Sequence, residues 1–152
     1  MLGTALEIEA LNETESHQSY GVVFSVYTNR WTPVDSVVTY TDYNSDYQDV
    51  VDLARGVFTT KTAGSYLLNF HSKSGKATGG REMSAQLCVN GIVRAASYSQ
   101  RSGDQKAVIL ISAVLNLQRG DRVHVFVTGA SLISNNAEDG THYTQFSGVK
   151  LG

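Results

Sequence analysis

Apolar residues recur at every second position through most of this chain, and that period admits strands and little else. In "SYLLNFH", Tyr66, Leu68 and Phe70 fall on one face and Leu67, Asn69 and His71 on the other. In "MSAQLCVN", Met83, Ala85, Leu87 and Val89 oppose Ser84, Gln86, Cys88 and Asn90. In "DRVHVFVTG", Val123, Val125 and Val127 oppose His124, Phe126 and Thr128. Side chains two apart share a strand face, so each segment reads as a strand with one buried side. Turn-forming clusters separate them: "NGIV", "RSGDQK", "QRGDRV" and "SNNAEDGTH". Short strands punctuated in this way predict a sandwich or a barrel.

Two stretches break the alternation. "YGVVFSVY" (20–27) carries Val22, Phe24 and Val26 on one face but Val23 and Tyr27 on the other, and "AVILISAVLNL" (107–117) is apolar on both faces for most of its length. A strand with two apolar faces needs cover on both. One sheet of a sandwich supplies the first cover. No amphipathic helix follows residue 20 to supply the second, so the pattern predicts a second copy of the chain, with Val23 and Tyr27 at the contact.

The 152 residues suit one domain, preceded by a tail or stalk remnant over 1–19 whose "ALEIEALNETE" fits helical and strand spacing equally. "NET" (12–14) is a glycosylation triplet that matters only outside the cell. A net charge of -2 argues against a nucleic-acid binder. No apolar run reaches the roughly 20 residues that cross a bilayer, so no membrane insertion is expected. Cys88 is the sole cysteine, which excludes an internal disulfide, and its apolar setting predicts a buried, inert thiol. The histidines His17, His71, His124 and His142 form no zinc motif, and neither a nucleophile elbow nor a phosphate loop occurs. The chain reads as a non-enzyme.

Five motifs stand in a fixed order: "VVFSVYT", "DLARGVFTTKTAGSYLLNFH" (52–71), "LCVNG" (87–91), "LNLQRGDRVHV" (115–125) and "TQFSGVKL" (144–151). Each has a physical reading. Gly56 and Gly64 precede strands at bends, Asn90-Gly91 is a type I′ hairpin signal, and Gly120-Asp121 marks a tight reversal. Phe24, Phe58, Tyr66 and Phe146 are expected in the core or between subunits. In these motifs the chain from residue 20 to 152 resembles the globular head of complement C1q, a family allied to tumour necrosis factor. It departs from that family in having Ala63 where a proline is frequent, no cysteines near Thr60, and no collagen repeat ahead of the head.

The resemblance implies a ten-stranded jelly-roll sandwich of two five-stranded antiparallel sheets, assembled as a homotrimer and secreted. It implies a lectin-like, innate-immune recognition module that binds glycans, anionic surfaces or proteins. The loops carrying Lys73, Lys76 and Arg81, and those carrying Arg94, Arg101 and Lys106, are the expected contributors. A cytokine-like ligand bound by receptor between subunits, and a trimerising cap of a matrix protein, are the alternatives. Several relatives hold calcium near the trimer apex. Here "SYSQRSGDQKA" (97–107) offers Asp104, with Ser99 where a first acid is expected. One carboxylate per chain is a thin set for an ion that takes 6–8 oxygens, so a solvated turn is the simpler reading. The aspartate-rich "TYTDYNSDYQDVVD" (39–52) lacks the spacing of a calcium loop. It is expected to be a polar surface connection, with Asp52 in a turn and Tyr40, Tyr43 and Tyr47 partly packed.

Overall fold

The computed structural model describes residues 21–46, 49–75, 82–100, 107–129, 131–133 and 143–152. The segments 1–19 and 101–106, with Tyr47, Lys76 and Arg81, lie outside them. Among the described residues twelve strands run in chain order: β1 (Gly21–Tyr27), β2 (Ser36–Val37), β3 (Asp42–Asp46), β4 (Val51–Asp52), β5 (Val57–Thr59), β6 (Gly64–Ser74), β7 (Glu82–Val89), β8 (Ile92–Gln100), β9 (Val108–Leu117), β10 (Arg122–Thr128), β11 (Leu132–Ile133) and β12 (Gln145–Lys150). No helix occurs among the described residues.

All pairings are antiparallel and divide into two sheets of six strands. In the first, β9, β6, β12, β1 and β3 lie side by side, and β11 continues the β12 lane along the far end of β6. In the second, β4, β5, β10, β7 and β8 lie side by side, and β2 continues the β5 lane along β10. Each sheet is therefore five lanes wide, and the expected jelly-roll sandwich is present. The first and last strands pair at the centre of one sheet, Gly21 against Lys150, so both chain ends leave from the same end of the sandwich.

Aromatic rings close the space between the sheets. Phe24 lies 4.6 Å from Phe58 and 5.1 Å from Phe146, and Tyr66 and Phe70 extend the cluster on either side. Off-face geometries of this kind add about 0.5–1.5 kcal/mol per pair beyond burial. Glycine is required beneath them: a Cβ on Gly148 would stand 2.4 Å from the Phe24 ring, its partner across β1 and β12. The closing phenylalanine-serine-glycine motif thus alternates a core ring with a bare floor for another. Val123, Val125 and Val127 are fully buried, as their spacing predicts.

Three expectations change. The β1–β12 register slips between Val22 and Phe24, so Val23 and Phe24, adjacent in sequence, both turn inward. A bulge places two residues against one and shifts the facing of those beside it. Val23, expected at a subunit contact, is buried by its own chain, and Val22 is the exposed residue in its place. The second change concerns 39–52, which is not a mere connection. Asp42–Asp46 forms edge strand β3 against β1, a position where polar side chains facing water are tolerated and block further pairing. Its low β propensity hid it. Asp46 accepts hydrogen bonds from the backbone N–H groups of Val50 and Val51, at 2.9 and 3.2 Å. Asp52 accepts one from Arg55 in a turn, as expected. The third change is Tyr40, which is buried and stacked on Phe146, while Tyr43 is exposed.

Two turns at the chain-end side of the sandwich lock together. Asn90 and Gly91 take φ of 52° and 82°, the left-handed pair a type I′ hairpin needs. The Asn90 side chain donates to Asp121 Oδ1 at 3.0 Å and accepts from the Arg122 N–H at 2.9 Å, while Asp121 Oδ2 accepts from the Gln118 N–H at 2.8 Å. Hence the "LCVNG" and "QRGDRV" signatures are two halves of one device.

At Gly56, with φ of 71°, a Cβ would stand 1.9 Å from the Val38 carbonyl oxygen, whereas at Gly91 it would meet nothing within 4 Å. Gly56→Ala is expected to cost about 3 kcal/mol or more, and Gly91→Ala about 1 kcal/mol for the left-handed backbone alone. Urea unfolding of the pair measures the difference. The Gln118 N–H first, and the Asn90 amide second, hold the Asp121 carboxyl below the ordinary aspartate range. A depressed folded-state value gives stability that is present above the unfolded pKa and lost as pH falls through the folded one. Urea midpoints of wild type and Asp121→Asn are therefore expected to differ most near neutrality and to converge as pH drops below the ordinary aspartate value.

Candidate functional site

The doubly apolar strand has its second face in the open. On β9, Ile109, Ile111 and Leu117 turn into the core, while Val108, Leu110 and Val114 are 69, 66 and 60% exposed. Antiparallel register carries this face across the whole first sheet. One row runs Val114, Leu67, Val149 and Val22, which is apolar throughout. The next runs Ser112, Asn69, Ser147 and Ser25, with Ser112 Oγ donating to Asn69 Oδ1 at 2.8 Å and Asn44 reaching Ser25 from β3. A third runs Leu110, His71, Gln145, Tyr27 and Asp42. The outward face is thus an apolar band at the chain-end side, a polar strip, then a mixed row.

The polar members are held in place. His71 Nδ1 donates to the Tyr143 carbonyl at 3.2 Å, and the Lys73 ammonium lies 5.2 Å from the centre of the Tyr143 ring. Tyr27, expected at a subunit contact, does stand on this face, half-buried, with its hydroxyl directed at Asp42 Oδ2. Burial first and the Asp42 charge second push its phenol above the ordinary value, so it stays a donor.

Of the expected ligand residues, Lys73 and Arg94 fall among the described residues. Lys73 belongs to the outward face of β6, opposite Val108, and its charge is engaged by Tyr143. Arg94 lies near the Asn90-Gly91 end of β8, close enough to Asp121 to favour its charged form. Six residue steps of strand, about 20 Å, separate it from Gln100, the residue before 101–106. Ser97 to Gln100 of the expected calcium loop are strand. Lys76, Arg81, Arg101, Asp104 and Lys106 lie outside the described residues. Among the described residues no three of His, Cys, Asp or Glu stand together as a metal would require. Cys88 is buried, and burial raises its thiol pKa. Among the described residues no helix is long and apolar enough to cross a membrane.

Sequence reasoning missed a second surface, on the other sheet. Arg122 and His124 project from β10 on the side away from Val123 and Val125, and with Val57, Asn90 and Gly91 they line a shallow depression. The alternation of "DRVHVFV" placed His124 outward but gave no sign that a turn and a third strand would wall it in.

A chain with two five-lane antiparallel sheets, joined ends and an open apolar inner-sheet face has the architecture of the jelly-roll heads. The sequence profile of the C1q domain matches residues 23–150, and the chain belongs to that family. The globular domain of zebrafish complement 1qA protein is similar in structure, at 26% identity and a TM-score of 0.61, covering 82% of this chain and 93% of that one. Eiger TNF from S. frugiperda matches at 15% identity and a TM-score of 0.64, over 87% of this chain and 94% of that one. Murine APRIL matches at 16% and 0.65, over 86 and 99%. The last two likenesses show a shared fold.

Proposed function

We propose that this chain is a secreted, non-enzymatic recognition module working as a homotrimer, in which three copies cover one another's outward β9–β6–β12–β1 face. The carrying observation is the exposure of Val108, Leu110 and Val114 on that face, continued by Val22. Contiguous exposed apolar surface of this kind marks an interaction site. The polar strip of Ser112, Asn69, Ser147 and Ser25 within it supplies hydrogen-bonding groups that fix register rather than area. Family membership supports a trimer, and three identical sites on one particle gain from avidity, so each can be small and weak. The ligands that fit this reading are glycans, anionic surfaces or proteins met by the side and apical surfaces.

The assembly is tested by Leu110→Glu and Val114→Glu. Both positions are exposed in the single chain, so a charge there is expected to leave the fold intact while removing the trimer. An uncompensated charge in an apolar contact costs several kcal/mol. Light scattering coupled to gel filtration is expected to give three times the chain's 16.5 kDa for wild type and one chain mass for each variant, with unchanged circular dichroism. Val23→Glu, by contrast, is expected to unfold the chain. A wild type that stays monomeric at high concentration refutes the assembly. Recognition is tested by binding of the intact trimer to glycan and lipopolysaccharide arrays, where silence counts against it and cross-linking to a cell-surface receptor would favour a cytokine-like ligand.

A further inference from the structure

The depression on the second sheet, of about 260 Å3, brings together groups from three places in the chain: Val57 of β5, the Asn90-Gly91 turn, and Arg122 and His124 of β10. Two cation-forming side chains, alternate on one strand, therefore face one small space. Neither the Arg122 guanidinium nor the His124 ring has a hydrogen bond or ion pair among the described residues.

The surrounding charges are committed elsewhere. Asp121, at the rim, gives one carboxylate oxygen to Asn90 and the other to the Gln118 N–H. Beyond Val57, across β5, Asp52 is engaged by Arg55 at 3.9 Å. On the other side, Cys88 sits opposite His124 with a buried thiol that burial keeps protonated. Arg94 adds a further positive charge beside Asp121. The backbone carrying Arg122 is fixed by the bond from its N–H to Asn90. Such fixing spares a ligand the cost of ordering its site.

We infer that this depression is an anion subsite that takes one acidic group of a glycan, a sulfate or a carboxylate, with Arg122 as the permanent charge and His124 as the second donor. The inference rests on the recognition reading above and gives it a ligand chemistry. A net charge of -2 denies the chain the broad basic field that a polyanion backbone binder uses, so the subsite reads acidic groups one at a time. Valine methyls and the bare Gly91 leave room for a sugar ring beside the charge. Repeated acidic groups along a glycan suit identical subsites on three copies.

His124 confers a pH dependence of definite sign. Its burial first, and the Arg122 charge second, hold the ring below the ordinary histidine value, so it is neutral at pH 7. An anion lodged beside it favours the charged form, so binding takes up a proton and strengthens as pH falls.

Titration calorimetry of the trimeric wild type with a sulfated disaccharide and its desulfated parent tests the subsite, at pH 7.5 and 5.5. The sulfated sugar is expected to bind and the parent not, with affinity rising several-fold on acidification. Arg122→Gln is expected to weaken binding about tenfold at both pH values, and His124→Gln to abolish the gain on acidification. Unfolding midpoints of both variants check that the fold is kept. Binding unaffected by Arg122→Gln, or no uptake of the sulfated sugar by wild type, overturns the subsite. Array binding to neutral glycans, with no uptake of the sulfated sugar beyond that of its desulfated parent, overturns the subsite but leaves the recognition reading standing. Sulfate-dependent uptake through Arg122 with silent arrays does the reverse.

Discussion

The packing of Phe24 onto Gly148 ties the two ends of the chain into one sheet and sets where everything else goes. Phe24 belongs to the first strand and Gly148 to the last, and they are partners across the β1–β12 pair. The ring lies on bare backbone and reaches Phe58 of the opposite sheet, so one side chain joins both termini and both layers. Once β1 and β12 are fixed side by side, β6 and β9 extend the sheet on one flank and β3 caps the other. The two strand ends and the tight turns that follow β7 and β9 then gather at the same end of the sandwich.

That arrangement gives the two sheets different fates. The sheet that pairs the first and last strands turns valines and leucines outward along β9, and no element among the described residues covers them. The other sheet turns His124, Arg122 and Gln86 outward, with Ile92 and Tyr98 exposed on β8. The Asn90–Asp121 device borders the second surface: it welds two turns, fixes the strand that carries Arg122, and occupies both oxygens of the Asp121 carboxylate.

Much of the strand content could be read from alternation, because the period of two survives wherever one face is buried and the other wet, as in Val123, Val125 and Val127. The edge strand Asp42–Asp46 could not, since both its faces are polar and only its hydrogen bonds to β1 make it a strand. The facing of Val22 and Val23 was misread for a related reason. Periodicity assumes an unbroken register, and a bulge inserts its extra residue without any mark in the residue types.

The sequence alone determined that this chain would be built of strands, that tight glycine turns would separate them, and that at least one strand, 107–117, would have too much apolar surface for a solitary sandwich. These follow from local spacing and from the backbone demands of single residues. Tertiary structure decided which valine of the pair at 22 and 23 faces water, which aspartates are spent on backbone N–H groups, and that Arg122 and His124 share a depression with Val57 and a distant hairpin. Those facts depend on pairings between segments tens of residues apart, and residue spacing holds no record of which strand will lie beside which.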